Sequence, residues 1–234
     1  MSGRYNWLDR PLNASYKDVF NELLRIEKEQ NADQDDDSLT ASVFNSVMQL
    51  YKTFEEKFPY DMNEINYLTG DATEPVGNGK KIICHICNDI GGWGRGFVVA
   101  LSKKCPFPEK MYREWYRWSK NGNSPYDVSF PEFHLGNVIF ATFTNPDTRV
   151  ANMIAQHDII TNTNGVPPIR YEALEHCLEK VAEEALKTNA SIHMPRIGAG
   201  LAGGDWNIIE NIIIKTLVEK GIPTFVYNLM EDNK

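Results

Sequence analysis

Four glycines within six residues, at positions 91–96, make this stretch of the sequence well suited to binding an anion. It follows an apolar run at 81–87, which predicts a buried strand, and it precedes a helix predicted to begin at Phe97. In α/β proteins a strand, a glycine-rich loop and a helix together present bare backbone N–H groups to negative ligands. The spacing matches neither the dinucleotide-binding G-x-G-x-x-G pattern nor a P-loop. The loop therefore predicts an anion site of another kind.

A second glycine-rich loop, 196–206, lies between a predicted strand at 191–194 and a predicted helix at 207–220. Two such loops can face each other at the carboxyl ends of neighbouring strands, where open α/β sheets bind ligands. Together they would hold a diphosphate from both sides. The alternative is that both are tight turns, although turns rarely need this many glycines for positive φ.

Candidate base-binding residues follow the first predicted strand, 65–68, and lie at the end of the last one, 224–229. The carboxylate of Asp71 could accept a hydrogen bond from an exocyclic amine such as adenine N6. Alternatively, Asp71 is a helix N-cap or a turn residue. Tyr227, next to Asn228, could offer a ring for stacking on a base, or it is an ordinary edge aromatic.

Four residues in or beside the first glycine loop could contact the rest of a nucleotide-like ligand. Asn88 and Asp89 could hydrogen-bond a ribose. Arg95 could pair with a phosphate, or it is simply solvated. Trp93 could line a pocket or cover the core.

Gln156 and His157 end a predicted strand, 150–156, beside the same cleft. His157 could act as a general acid or base, but a lone histidine is more often structural, and spacing identifies no partner for it. Arg196 either anchors the second loop or forms a structural salt bridge. Asp205 is first of all an N-cap of the helix that follows it.

Composition excludes several classes of protein. The 234 residues carry a formal net charge of −8, which argues against nonspecific nucleic-acid binding but leaves room for a local positive pocket. With no apolar leader and no run of 18 apolar residues, we expect a cytoplasmic protein without a membrane contact. Cys84 and Cys87 have zinc-like spacing, but no second pair follows, so they are interpreted as core residues. No metal and no cofactor is expected.

The order of predicted elements indicates two regions. Residues 1–62 form an N-terminal helical extension, with amphipathic helices predicted at 15–31 and 38–57. From residue 63 strands and helices alternate, with a hairpin turn predicted at 145–147 and an amphipathic helix at 171–187. This alternation predicts a three-layer α/β/α domain. Within it Pro106 and Pro108 separate a short helix from one at 109–119, whose basic and aromatic residues fit a packed face better than nucleic-acid stacking.

Four motifs resemble the macrodomain family in content and order: Gly-Asp-Ala-Thr at 70–73 and the stretches 85–97, 151–157 and 194–201. The resemblance covers about residues 64–230. It is greatest to the branch with the terminal ADP-ribose protein glycohydrolase and the macrodomain of the chromatin remodeller "amplified in liver cancer", especially its bacterial members. It implies a mixed central sheet and a macrodomain at 63–234.

The resemblance also implies an ADP-ribose pocket. Asp71 would bind the adenine amine, Tyr227 or Asn228 would lie beside the base, and the two loops would hold the diphosphate and distal ribose. The implied ligand-binding residues are Asp71, Ala72, Asn88, Gly91, Gly92, Trp93, Gly94, Arg95, Gly96, Gln156, Arg196, Gly198, Ala199, Gly200, Leu201, Ala202, Tyr227 and Asn228.

The activity that the resemblance implies needs a change of mechanism. The glycohydrolase of this branch uses a lysine and an aspartate, and the matching positions here are Gln156 and Ala202. A hydrolase would therefore need another route, such as a water positioned by Gln156 or Asn88. Mono-ADP-ribose esters on glutamate or aspartate side chains are the expected substrates.

The alternative functions are a non-catalytic ADP-ribose reader and a phosphatase or esterase on small ADP-ribose derivatives. The expected partner is ADP-ribose or an ADP-ribosylated protein, with ADP-ribosylated nucleic acid left open.

Overall fold

The computed structural model of the chain describes residues 61–121 and 130–229, together with the isolated positions Arg25, Glu29, Asn45 and Ser46. Apart from those four positions, the two helices predicted at 15–31 and 38–57 lie outside the described residues, so the helical extension remains a prediction. From Asp61 onward the described residues belong to one compact unit.

This unit alternates strands and helices. In chain order its elements are β1 (Asn66–Thr69), β2 (Lys80–Asn88), α1 (Phe97–Lys104), α2 (Phe107–Asn121), β3 (Val138–Thr142), β4 (Thr148–Gln156), α3 (Tyr171–Thr188), β5 (Ala190–Pro195), α4 (Trp206–Thr216), a short 3₁₀ helix (Val218–Lys220) and β6 (Thr224–Asn228).

The six strands form one mixed sheet, as the resemblance implied, and their order is β1-β6-β5-β2-β4-β3. All neighbouring pairs are parallel except β3 and β4, which are antiparallel. Only antiparallel neighbours can be joined by a tight turn. The predicted turn at 145–147 supplies it, because the Asn145 side chain accepts a hydrogen bond from the Asp147 N–H at 3.0 Å.

Strand β2 is buried on both faces, which explains its almost continuous apolar sequence. Ile82 and Cys84 pack in the core cluster that contains the buried faces of α3 and α4. Ile83 packs with Leu101 of α1, and Cys87 packs with residues of α2. The sheet thus lies between two helical layers, which confirms the predicted α/β/α architecture.

Two predicted helix boundaries were wrong. Helix α2 begins at Phe107 and includes Pro108, because proline is tolerated in the first turn, where its missing N–H costs nothing. The helix predicted at 207–220 ends at Thr216 and continues as a separate 3₁₀ turn that stops at Gly221 in the left-handed conformation. The aromatic face of α2 is packed as predicted, with Tyr112 and Trp115 buried.

Cys84 and Cys87 are core residues, as predicted. Cys84, Cys87 and Cys177 are free and buried. Burial raises the pKa of the Cys177 thiol to about 12, so it stays protonated at neutral pH.

Among the described residues, no helix combines the length and apolar character needed to cross a bilayer.

Two buried histidines are expected to make the stability of the fold depend on pH. Burial lowers the pKa of His85 to about 4 and that of His193 to about 3, from an ordinary value of 6.5. As pH falls from 6.5 toward these values, the unfolded chain takes up protons that the folded chain does not. The free energy of unfolding should therefore fall, by up to about 1.4 kcal/mol per pH unit for each histidine.

Urea unfolding at about pH 7, 6 and 5 measures this dependence. His193→Phe is a suitable control variant, because the His193 ring already stacks on Phe225 at a centroid distance of 4.6 Å. Its stability should depend less steeply on pH than that of the parent chain. An equal slope in both would contradict the assignment to His193.

Candidate functional site

The polar and glycine-rich segments predicted to bind a ligand follow the carboxyl ends of five parallel strands. Across the sheet they are the turn 70–73 after β1, Asn228 of β6, residues 196–205 after β5 (loop 2), residues 89–96 after β2 (loop 1), and residues 156–157 at the end of β4. Because parallel strands end at the same edge, these segments lie side by side. At about 4.8 Å per strand the row is about 19 Å long.

Loops 1 and 2 meet at the centre of this row. Strands β2 and β5 pair directly, so their loops leave the sheet as neighbours. A Cβ atom added at Gly96 in loop 1 would lie 3.3 Å from Cδ1 of Leu201 in loop 2. The two glycine loops therefore face each other, as the sequence predicted.

Asn88 holds loop 1 in shape from within. The side chain is only 8% exposed. Its Oδ1 accepts hydrogen bonds from the Gly92 N–H at 2.8 Å and the Ile90 N–H at 3.2 Å, and its Nδ2 donates to the Gly92 carbonyl at 2.7 Å. The Tyr112 hydroxyl donates to the Asn88 carbonyl at 2.6 Å. The amide of Asn88 is thus engaged in organising the loop backbone.

Replacing Asn88 by alanine should cost stability as well as ligand binding. The Gly92 N–H and carbonyl would both lose a buried partner, so the free energy of unfolding should fall by about 1–3 kcal/mol. Urea unfolding and a binding titration on the same preparation measure both effects. If only turnover fell, with stability and binding intact, Asn88 would be a reacting group and not an organiser of the loop.

Loop 1 needs glycine at position 91 and is anchored by Trp93. Gly91 has φ +75°, and a Cβ there would come within 2.4 Å of the Tyr116 ring. The Trp93 Nε1–H donates to the Ser102 Oγ at 2.8 Å, and its indole packs edge-on against His85. Trp93 thus covers the core and fixes the loop. No side chain caps the helix that begins after Gly96, so its first N–H groups have no side-chain partner.

Arg95 and Arg196 have different surroundings. Arg95 is exposed, and no described residue forms a hydrogen bond or ion pair with it. Arg196 donates from Nε to the Asn228 Oδ1 at 2.7 Å, and its guanidinium lies 4.8 Å from the Trp206 ring. Arg196 therefore ties loop 2 to the end of β6. Among the described residues of the two loops, Arg95 is the cation that has no bonded partner and could meet an anion.

Loop 2 closes on itself through backbone hydrogen bonds. The Gly204 N–H donates to the Gly198 carbonyl at 2.8 Å, and the Gly203 N–H to the Gly200 carbonyl at 2.9 Å. Ala202 is buried, and its carbonyl accepts from the Ile169 N–H. Asp205 caps α4 as predicted, accepting from the Asn207 N–H at 2.8 Å. Ala199, which lies between Gly198 and Gly200 in the chain, is partly exposed.

At the β1 end of the row, Asp71 is exposed, whereas the two residues that follow it, Ala72 and Thr73, are buried. One carboxylate oxygen accepts from the Thr73 N–H at 2.9 Å, which makes Asp71 a turn residue, and the other has no partner among the described residues. Ala72 is 2% exposed. Tyr227 is 4% exposed, and its hydroxyl bonds the Val76 N–H and His193 Nδ1. Its ring lies under Gly70, so in this structure Asn228 is the more accessible of the two β6 residues.

At the β4 end the structure supplies a partner that spacing could not identify. His157 Nδ1 lies 2.6 Å from the Asp89 Oδ2, although the two residues are 68 positions apart. The Asp89 Oδ1 accepts from the Asp158 N–H at 2.9 Å, and Gln156 Nε2 donates to the Asp158 carbonyl at 2.7 Å. Within residues 61–121 and 130–229, no three His, Cys, Asp or Glu side chains are grouped to hold a metal ion.

Comparison with solved structures identifies the family. A Streptomyces coelicolor macrodomain protein is 45% identical, with a TM-score of 0.58, and the match covers 70% of this chain and 99% of that one. The chain belongs to the macrodomain family. A Bacteroides thetaiotaomicron protein of unknown function is 50% identical, with a TM-score of 0.65, covering 71% of this chain and 99% of that one. No family model matches the sequence.

Curated macrodomain relatives extend the comparison. The mouse chromodomain-helicase-DNA-binding protein 1-like is 34% identical over 175 residues, which cover 71% of this chain. The chain spans only 18% of the length of that protein. A Candida albicans ADP-ribose 1″-phosphate phosphatase is 29% identical over 153 residues, covering 64% of this chain and 91% of that enzyme. These relatives agree with the branch that the motifs indicated.

Proposed function

We propose that this macrodomain binds ADP-ribose and hydrolyses mono-ADP-ribose esters on glutamate and aspartate side chains of proteins. The proposal rests on one observation: loops 1 and 2 face each other at the centre of the row of strand ends, with Asp71 at one end of that row. Backbone N–H groups, the uncapped start of α1 and Arg95 suit a diphosphate there. The relation to an ADP-ribose 1″-phosphate phosphatase supports the ligand.

The ligand would lie along the row. With the diphosphate between the loops and the adenine amine at Asp71, the distal ribose extends toward the end of β4. Water attacks C1″, the C1″–O bond to the side chain breaks, and its electron pair leaves with the carboxylate. Because a carboxylic acid has a pKa of about 4, this leaving group needs no proton. An alkoxide leaving group would need one, so the proposal is restricted to esters.

The two residues predicted to position water, Asn88 and Gln156, differ in which side-chain atoms already have a hydrogen-bond partner. The Asn88 amide is bonded within loop 1, so we assign it to binding geometry. Gln156 donates from Nε2 to Asp158, and its Oε1 has no partner among the described residues. We assign Gln156 Oε1 to the water. The absence of a lysine here equally favours a non-catalytic reader, which is the second candidate function.

The test combines calorimetry with two release assays on the full chain. ADP-ribose should bind, a protein mono-ADP-ribosylated on glutamate should release ADP-ribose, and ADP-ribose 1″-phosphate should release no phosphate. Binding without release would identify a reader, and phosphate release would identify a phosphatase. Affinity weaker than about 1 mM, near −4 kcal/mol, would exclude all three functions.

A further inference from the structure

The paired side chains of Asp89 and His157 stand at the end of the site where the distal ribose is proposed to lie. Each directly follows the end of its own strand: Asp89 follows β2, and His157 follows β4. The pairing of β2 with β4 changes register between Cys87 and Asn88, a bulge that shifts the strand ends relative to each other. Such bulges commonly re-aim side chains beside functional sites. The pair is thus formed by the sheet itself.

Backbone contacts hold both residues in place. The Asp89 N–H donates to the Gln156 carbonyl at 3.0 Å, and the His157 N–H donates to the Pro168 carbonyl at 2.8 Å. Asp158 adopts φ +62°, an uncommon conformation for a non-glycine residue, with its N–H on the Asp89 Oδ1. Both carboxylate oxygens of Asp89 are therefore engaged, and the carboxylate cannot turn away from the imidazole.

This geometry sets the tautomer of His157. An ionised carboxylate only accepts hydrogen bonds, so Nδ1 carries the proton that it donates to Asp89. In the neutral ring Nε2 then has a lone pair. No described residue bonds Nε2, and the His157 side chain is 56% exposed, whereas Asp89 is 19% exposed. A carboxylate that orients a histidine with its other nitrogen open is the arrangement of a general base.

We propose that His157, oriented by Asp89, accepts the proton of the water that attacks C1″. This inference rests on the proposed hydrolase function and adds the base that Gln156 cannot provide, because an amide is not basic. The water oxygen bonds to C1″, its proton passes to Nε2, and the ester bond breaks with its electron pair on the leaving carboxylate. The imidazolium formed is stabilised by Asp89 and returns its proton to solvent.

The experiment compares variants of the full chain on a protein mono-ADP-ribosylated on glutamate. His157→Ala should release ADP-ribose about 10²–10⁴ times more slowly than the parent chain, the usual contribution of a general base. Its dissociation constant for ADP-ribose should stay within about twofold, because an exposed ring is removed. Added imidazole should restore part of the rate, a rescue that a merely structural role would not show.

Two further variants sharpen the result. Asp89→Asn should lose part of the rate, and the double variant should be no slower than His157→Ala, because the two residues act as one unit. His176→Ala, which removes an exposed histidine on α3, should leave rate and binding unchanged.

Unaltered turnover in His157→Ala, with an active parent chain, would overturn this inference alone. A parent chain that binds ADP-ribose without releasing it would overturn the hydrolase function and the inference with it.

Discussion

Replacing Asp71 by alanine is expected to weaken ADP-ribose binding by about 1–3 kcal/mol, or about 5- to 150-fold in Kd. The free carboxylate oxygen would no longer meet the adenine amine, which would be left unpaired in the complex. The other oxygen holds the Thr73 N–H at 2.9 Å, so the turn would also lose a bond. A control must therefore separate the lost ligand contact from the altered turn.

Asp71→Asn and a modified ligand provide that control. Asparagine keeps one oxygen for the Thr73 N–H and replaces the other by an amide NH2 group, which only donates and cannot accept from the adenine amine. An ADP-ribose analogue with hypoxanthine lacks the exocyclic amine. The parent chain should prefer ADP-ribose over this analogue in calorimetry, and both variants should lose the preference. If the parent chain bound both ligands equally, adenine would not lie at Asp71.

Replacing Gly200 by alanine is expected to weaken ADP-ribose binding without weakening the fold. In the free protein a Cβ at Gly200 would meet nothing within 4 Å, and the backbone there is not in the left-handed region. The free energy of unfolding should stay unchanged or rise by up to about 1 kcal/mol. A diphosphate that approaches the loop backbone would clash with the added methyl group. The clash should weaken the binding free energy by about 1–3 kcal/mol.

Gly198→Ala gives the contrasting result. Gly198 has φ +74°, and a Cβ would lie 3.0 Å from Cδ1 of both Ile169 and Ile209. That variant should lose stability first, and its binding should fall only as a consequence of the altered loop. Urea unfolding and calorimetry on both variants separate the two effects. Full affinity in Gly200→Ala would mean that no ligand atom approaches the loop at this position.

The element order of residues 63–229 was readable from the sequence because each signal is local. The helix predicted at 171–187 occurs as Tyr171–Thr188, since its buried residues recur at helical spacing over five turns. The strand β2 was recognised from a continuous apolar run, and the turn at 145–147 from its asparagine, proline and aspartate. At the two wrong helix boundaries the local signal is misleading: Pro108, for example, lies in the first turn of α2, where proline is tolerated.

The two glycine loops were also readable from the sequence, because a cluster of glycines is a local signal. That the loops face each other depends on the order of the strands in the sheet. Loops 1 and 2 meet because β5 lies between β6 and β2, although more than a hundred residues separate β2 from β5 in the chain. The sequence could propose this arrangement only by analogy with other α/β sheets. Local periodicity carries no information about which strands become neighbours.

The sequence by itself thus determined the alternating α/β pattern, both glycine-rich loops and the candidate residues at the ends of strands. Only the tertiary structure decided which residues each candidate contacts. It bonds Asn88 within loop 1, ties Arg196 to Asn228, buries Tyr227, and joins Asp89 to His157. The physical reason is that the Arg196–Asn228 and Asp89–His157 contacts form between residues at the ends of paired strands. Pairing and register are set by the packing of the whole sheet between its two helical layers.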